Sequence, residues 1–264
     1  MKVVFVGPTL GEERHRIAVP GVEIRGPAGQ GDLARAVLQG ATVIGLIDGV
    51  FEQTAAVWHK EILFALSEGV QVFGAASMGA LRATECAPFG MIGVGEVFRR
   101  YAEGEIVDDD AVGQVHGPEE LDYMPLSEPL VNIEATTRSL IEKGLITTSE
   151  GAEIDRAGRD LFFKERNWGR VIATATLIED ERRAEIAATV RRYRRDIKRE
   201  DALLLIERVG QAADARVAPP EHWRFSETQM WRNLIESLRE TTGARTGDWR
   251  PSSDSKTPET RPPL

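Results

Sequence analysis

The sequence predicts an α/β protein: a Rossmann-like parallel-sheet domain over residues 1–130, followed by a mainly helical C-terminal region. Two observations carry this. Short apolar runs at 3–6 (VVFV), 43–47 (VIGLI) and 70–73 (VQVF) are each followed by small or polar residues, and the later two lead directly into helix-like sequence, the signature of repeated strand–turn–helix units. Past residue 130 such runs cease and helical patterning takes over. With 42% hydrophobic residues in 264, the chain can bury a sizeable core.

The elements follow in order. Residues 3–6 read as the first strand and 22–24 as a short second one. Asp32 opens a helix to about residue 39, because an aspartate there satisfies amide groups at a helix start. Residues 43–47 form the third strand. The next helix is expected from about Gln53 to Ser67, with Trp58, Ile62 and Ala65 at helical spacing and Gly69 beyond its end. Residues 70–73 form the fourth strand, and Met78 begins another helix. The stretch 88–110 is glycine-rich and then acidic. No clear strand leads into it, and Gly90, Gly93 and Gly95 do not follow the order of a dinucleotide loop, so they read as tight turns. Helices are expected at 133–143, 149–164 and onward to about 210, making 131–212 a helical subdomain. The run Arg191, Arg192, Arg194, Arg195, Lys198, Arg199 reads as a solvated basic face, with docking of an acidic partner as the other reading. A linker with Pro219-Pro220 leads to an amphipathic segment, 226–240, and a Pro/Ser/Thr-rich tail expected to be disordered. The third expected region is thus 213–264.

Composition excludes several functions. A net charge of −9 argues against nucleic acid or an anionic membrane as partner. One cysteine, Cys86, permits neither an internal disulfide nor a cysteine zinc cluster, and it reads as buried and inert. The four histidines lack metal-ligand spacing, and no metal or other cofactor is expected. The acidic triple 108–110 lacks the spacing of a calcium loop. No apolar run approaches the ~20 residues of a membrane helix, and the N-terminal run reads as a strand instead of a leader, so a cytoplasmic location is expected.

The candidate chemistry lies where the turns after parallel strands gather, at one sheet edge. Ser77, in AASMG, opens a helix after the fourth strand. It is either a nucleophile at a turn like a nucleophile elbow, or the cap of that helix. Asp48, in Asp-Gly after the third strand, is either the orienting acid of a catalytic trio or a turn aspartate. His59, one to two turns into the following helix on the expected boundary, is either the base or a packed histidine at the core margin. Arg82, about a turn into the helix that Ser77 opens, suits an anion. Lys60 and Glu61 stand on the helix beside His59, with solvated surface as their default. Thr9 follows Gly7-Pro8 at the end of the first strand and joins the same edge.

GPTL near the start, GD before the first helix, IDGVF, WHKEILFAL, GAASMGALRATE, FGMIGVGEVF and the following DDD resemble the TfuA-like family. The resemblance covers about residues 1–130, with weaker similarity to about 165, and the pairing of HKEI with GAASMGALRA is its most specific part. It implies a partner of YcaO enzymes, which activate peptide backbone amides with ATP, in the formation of thioamides. The implied task is sulfur supply, by hydrolysis of the C-terminal thiocarboxylate of a ubiquitin-like sulfur carrier protein to release sulfide. Asp48, His59, Lys60, Glu61, Ser77 and Arg82 lie inside the family blocks. On this expectation Ser77, His59 and Asp48 are catalytic, and Arg82, Thr9, Lys60 and Glu61 bind substrate. The alternative is a non-catalytic adaptor that binds YcaO and activates it. A nucleotide-binding α/β domain is a third reading, against which the missing phosphate-loop motifs count.

Overall fold

The computed structural model describes residues 1–49 and 55–242, with the backbone alone for 241 and 242. The expected tail beyond 242 and the expected helix start at Gln53 lie outside them. Two compact units are present, Met1–Ser226 and Glu227–Leu264.

The first unit is built on five parallel strands: β1 (Lys2–Phe5), β2 (Val22–Arg25), β3 (Val43–Leu46), β4 (Gln71–Ala75) and β5 (Ile92–Val94). They stand in the order β2-β1-β3-β4-β5, every neighbouring pair parallel. Buried on both faces, β1 after Lys2 and β3 read as continuous apolar runs instead of alternating ones. Parallel strands place all their C-terminal turns on one edge, and this order reverses direction between β1 and β3, the switch point where α/β sheets open a ligand crevice. The turns after β1, β3 and β4 carry Thr9, Asp48 and Ser77. The first three helices of the unit are α1 (Asp32–Leu38), α2 (His59–Ser67) and α3 (Met78–Cys86), and α4 (Gly95–Ala102) follows β5.

Two boundaries depart from the sequence reading. Helix α2 starts at His59, after non-helical residues 55–58, so His59 is the first helical residue and does not sit one to two turns in. The glycine-rich stretch contains β5, a three-residue strand too short and too rich in glycine to leave a periodic signal. Gly93 is required there because a Cβ would fall 2.2 Å from the Phe98 ring.

The helices after residue 130 are α5 (Leu130–Glu142), α6 (Thr148–Asp160), α7 (Trp168–Thr174), α8 (Asp180–Tyr193) and α9 (Ile197–Gln211). Helices α5 to α8 bury an apolar core of their own, including Ile133, Leu140, Ile154, Val171 and Ile186. Helix α9 returns to the sheet. Its Leu205, Ile206 and Val209 share a core with Val4, Val43, Ile47 and Phe73, and Gly45 of β3 permits the approach, since a Cβ there would lie 2.7 Å from Leu205. The Asp201 carboxylate accepts the Glu96 and Val97 amides at the start of α4, which satisfies two otherwise orphaned donors and fixes the rotation of α9. The stretch after α9 that reads as a linker also packs back: Val217 N–H donates to Gly69 O, and the Trp223 indole donates to Phe89 O. The second unit, in its described part, is one helix, α10 (Gln229–Thr242), where the amphipathic segment is expected. Among the described residues no helix is long and apolar enough to cross a membrane.

Two stability predictions arise from this packing. The Gly79 amide donates to Ile47 O, so α3 sits directly on the end of β3. A Cβ at Gly79 would lie 1.8 Å from Leu46 O, and the obstacle is backbone. Gly79→Ala is therefore expected to lower the unfolding free energy by about 3 kcal/mol, the upper end of overpacking costs, measured by denaturant titration. The second concerns Glu128, buried beside Arg194, with one carboxylate oxygen lacking a hydrogen bond among the described residues. Burial pushes its carboxyl up to about 7. The folded state thus holds a proton that the unfolded state releases between about pH 4.5 and 7, and the group's contribution to stability falls as pH rises through that window. Glu128→Gln removes the penalty. The variant is expected to exceed wild type at pH 8 by up to about 3 kcal/mol and to match it near pH 4, as read from melting curves at both values.

Candidate functional site

The turn after β4 has an unusual backbone. Ala76 has φ 66°, and the Ser77 amide donates to Ala75 O at 2.7 Å, an i to i+2 bond that marks a γ-turn of the rare, strained hand. Such strain persists only where surrounding structure enforces it, and it clusters at functional turns. Glycine supplies the room: a Cβ on Gly74 would lie 2.2 Å from Gly79 O. Ser77 precedes the first residue of α3, yet its side chain makes no capping hydrogen bond. The helix-cap reading of Ser77 therefore does not hold, and Ser77 lines a cavity of ≈ 230 Å³.

The cavity lies over the C-terminal edge of the sheet. Asp48, Ser77, Arg82, Asp109, Gln114, His116 and Lys198 supply its polar lining, and Pro8, Met78, Leu81 and Val112 are among its apolar walls. A second cavity of ≈ 430 Å³ adjoins it and shares Pro8, Gln114 and Lys198.

Lys198 is the residue the sequence reading missed. It belongs to α9, is 2% exposed, and donates from Nζ to Val112 O at 2.8 Å. Its position is secured twice, by Asn132, whose side-chain oxygen accepts the Lys198 amide, and by Asp196, which caps α9. Burial pushes its ammonium down from the ordinary lysine range, and Asp48, Asp196 and Glu128 oppose that shift. A lysine shifted in this direction gives up its proton more readily than an exposed one, which suits it to act as a base. In the sequence it stands within a run of five arginines, which masks it. The arginines behave as a solvated face paired with acids, Arg195 with Glu200 and Arg199 with Glu13, whereas Lys198 points away from them into the core.

The expected Ser77–His59–Asp48 relay is not assembled. Asp48 is 1% exposed, and its carboxylate accepts three bonds: from the Gly7 amide at 3.0 Å, the Thr9 amide at 2.9 Å and the Thr9 hydroxyl at 2.6 Å. It ties the turn after β1 to the end of β3 across the switch point and orients no histidine. Thr9 is accordingly its partner, buried, and lines the second cavity. His59 is half-exposed and places Nε2 2.7 Å from Glu85 and 3.5 Å from Arg82; it is absent from the cavity lining. Arg82 does line the cavity. Its Nη1 donates to Glu85 at 2.6 Å, and its buried Nε has no hydrogen bond among the described residues. Glu85 thus holds both His59 and Arg82, a role the sequence reading did not assign.

Lys60 and Glu61 stand elsewhere. Lys60 Nζ lies over the Phe225 ring, 5.3 Å from its centre. Glu61 is fully buried, contrary to its expected surface position, and accepts the Gly31, Ala34 and Trp58 amides. It satisfies donors at the starts of α1 and α2 together, which is a framework role. Burial raises its carboxyl above the usual range despite those bonds. Cys86 is buried, and burial raises its thiol to about 11, so it carries no thiolate near neutrality. Asp110 pairs with the buried Arg166, which pins the 108–113 loop instead of leaving three carboxylates to converge.

A strained strand-to-helix turn carrying Ser77, with a buried lysine and an arginine lining the same cavity at a sheet switch point, defines an α/β protein with a polar crevice at the C-terminal edge of its sheet. Residues 48–167 match the family model for TfuA-like proteins, and that segment is similar to the family. That family is associated with YcaO-related thioamide pathways. No curated protein matches the chain. Lys198 lies beyond the matched segment, as does the rest of α9.

Proposed function

We propose that the cavity hydrolyses the thiocarboxylated C-terminus of a ubiquitin-like sulfur carrier and releases sulfide for a YcaO enzyme. One observation carries the reading: Ser77, whose side chain makes no capping bond, and the buried Lys198 line the same cavity at the carboxyl edge of the sheet. A nucleophile with an adjacent base is the minimum equipment for acyl transfer.

The substrate is an anion, RCOS⁻. Arg82 draws it in and holds the negative charge, with Glu85 and His59 positioning the guanidinium. Ser77 Oγ attacks the carbonyl carbon, and the deprotonated amine of Lys198 takes the hydroxyl proton. The Met78 amide, first in α3, follows the nucleophile in sequence and is the candidate donor to the oxygen that gains charge. Lys198 returns the proton to sulfur, the C–S bond breaks, and HS⁻ departs, leaving RCO–O–Ser77. Addition of water then gives RCOO⁻, a proton and the free hydroxyl.

The test is sulfide release from purified thiocarboxylated carrier without YcaO. Catalytic release that scales with this protein supports the reading. No release above the spontaneous rate, together with stimulation of YcaO supplied with free sulfide, would favour the adaptor reading instead.

A further inference from the structure

We propose that His116 is a second catalytic base, activating the water that clears the acyl group from Ser77. This rests on the hydrolase reading above. The imidazole lines the cavity that holds Ser77 and Lys198. Its Nδ1 lies 2.8 Å from Gly117 O, a carbonyl that only accepts, so Nδ1 carries the proton and Nε2 of the neutral ring keeps a lone pair. That is the tautomer a general base requires.

The surroundings hold the ring still. Its loop is closed by a bridge between His116 and Pro125 and by the Gly117 amide bonding to Met124 O. The ring meets Tyr123 edge-on, with centroids 5.4 Å apart, and Tyr123 lies under the Arg14 guanidinium, 4.7 Å away. Tyr123 and its neighbour Asp122 adopt φ of 53° and 50°, two consecutive left-handed residues that the packing must enforce.

The division of labour follows from the chemistry and from exposure. In acylation the serine proton passes through Lys198 to sulfur, and Lys198 is neutral again when HS⁻ leaves. In deacylation, RCO–O–Ser77 + H₂O → RCOO⁻ + H⁺ + Ser77–OH, one proton has to leave the site. Lys198 is buried at 2% exposure, whereas His116 is partly exposed. Solvent therefore has readier access to the His116 ring than to the buried amine. His116 takes a proton from water as the hydroxide oxygen bonds to the acyl carbon, and then passes it to solvent.

His116→Asn separates this role from a structural one, because the asparagine amide keeps a donor near the Nδ1 position while Nε2 is removed. Pre-steady-state sulfide release from thiocarboxylated carrier is expected to show a burst of one equivalent per protein. Steady turnover should follow at about 100-fold below wild type or less, with the carrier acyl adduct on Ser77 accumulating in intact-mass spectra. Hydroxylamine, a nucleophile that needs no base, should restore turnover to this variant. Wild-type turnover in His116→Asn overturns the proposal. So does loss of the burst in a folded variant, or loss of cooperative melting in both His116→Asn and His116→Gln. A wild-type protein that releases no sulfide refutes the hydrolase reading itself, which these variants do not test.

Discussion

Ser77→Ala is expected to lower sulfide release from a thiocarboxylated carrier by about a thousandfold or more, the scale of nucleophile deletion in hydrolases, with the melting temperature within a degree or two of wild type. The two halves of this expectation come from different observations. The loss of activity follows if the hydroxyl is the attacking group. The unchanged stability follows because the side chain makes no capping bond to α3: removing a capping serine would cost about 1 kcal/mol, and there is no such cap to remove. A variant that is destabilised but active would reverse the assignment. Carrier binding, measured by titration, should change little, since Arg82 and the cavity walls remain.

The second large effect is expected at Lys198. Lys198→Met keeps the length and apolar stem of the side chain and removes the amine. Turnover should fall at least about a hundredfold, the range of a lost general base. Stability should hold or rise, because the variant no longer buries a polar amine, whose desolvation lowers its pKa. Lys198→Arg is the informative companion. A guanidinium stays protonated in proteins, so it preserves charge but cannot accept the serine proton, and it too should be inactive. Full activity in Lys198→Arg would show that the residue acts only as a positive charge. Because Ser77 and Lys198 act on one step, the double variant should be little worse than the weaker single one.

Much of the frame was legible in the sequence. Strands β1, β3 and β4 announce themselves as apolar runs because parallel strands are buried on both faces. Their order along the chain already implies a shared C-terminal edge for Thr9, Asp48 and Ser77. Strand β5 was not legible: three residues with a glycine at their centre and another just after them give no period, and only Phe98 and the neighbouring strand explain them. The start of α2 was displaced because Trp58 lies at helical spacing with Ile62 and Ala65, although the chain turns helical only at His59.

The site was legible at its nucleophile and much less so at its partners. Ser77 is marked by small residues at a strand–helix turn, a local signal. Lys198 comes from α9, 121 positions later, and its burial depends on α9 returning to the sheet at Gly45. No local pattern encodes that return, and the surrounding arginines disguise it. Asp48 and His59 were grouped by proximity along the chain, whereas hydrogen bonding sends Asp48 to Thr9 and His59 to Glu85. Glu61 shows the same limit from the other side: its spacing suits a helix surface, and only the approach of α1 makes it a buried acceptor.

The most direct test of the central claim is rapid-quench intact-mass spectrometry of the wild-type protein mixed with thiocarboxylated carrier. Denaturation in acid within milliseconds preserves an ester. The account predicts a transient species whose mass is the sum of the two proteins less one H₂S, with the modified peptide mapping to Ser77 after digestion, and with sulfide appearing as fast as the adduct. Sulfide release at full rate with no adduct at any time, or an adduct on another residue, would contradict it.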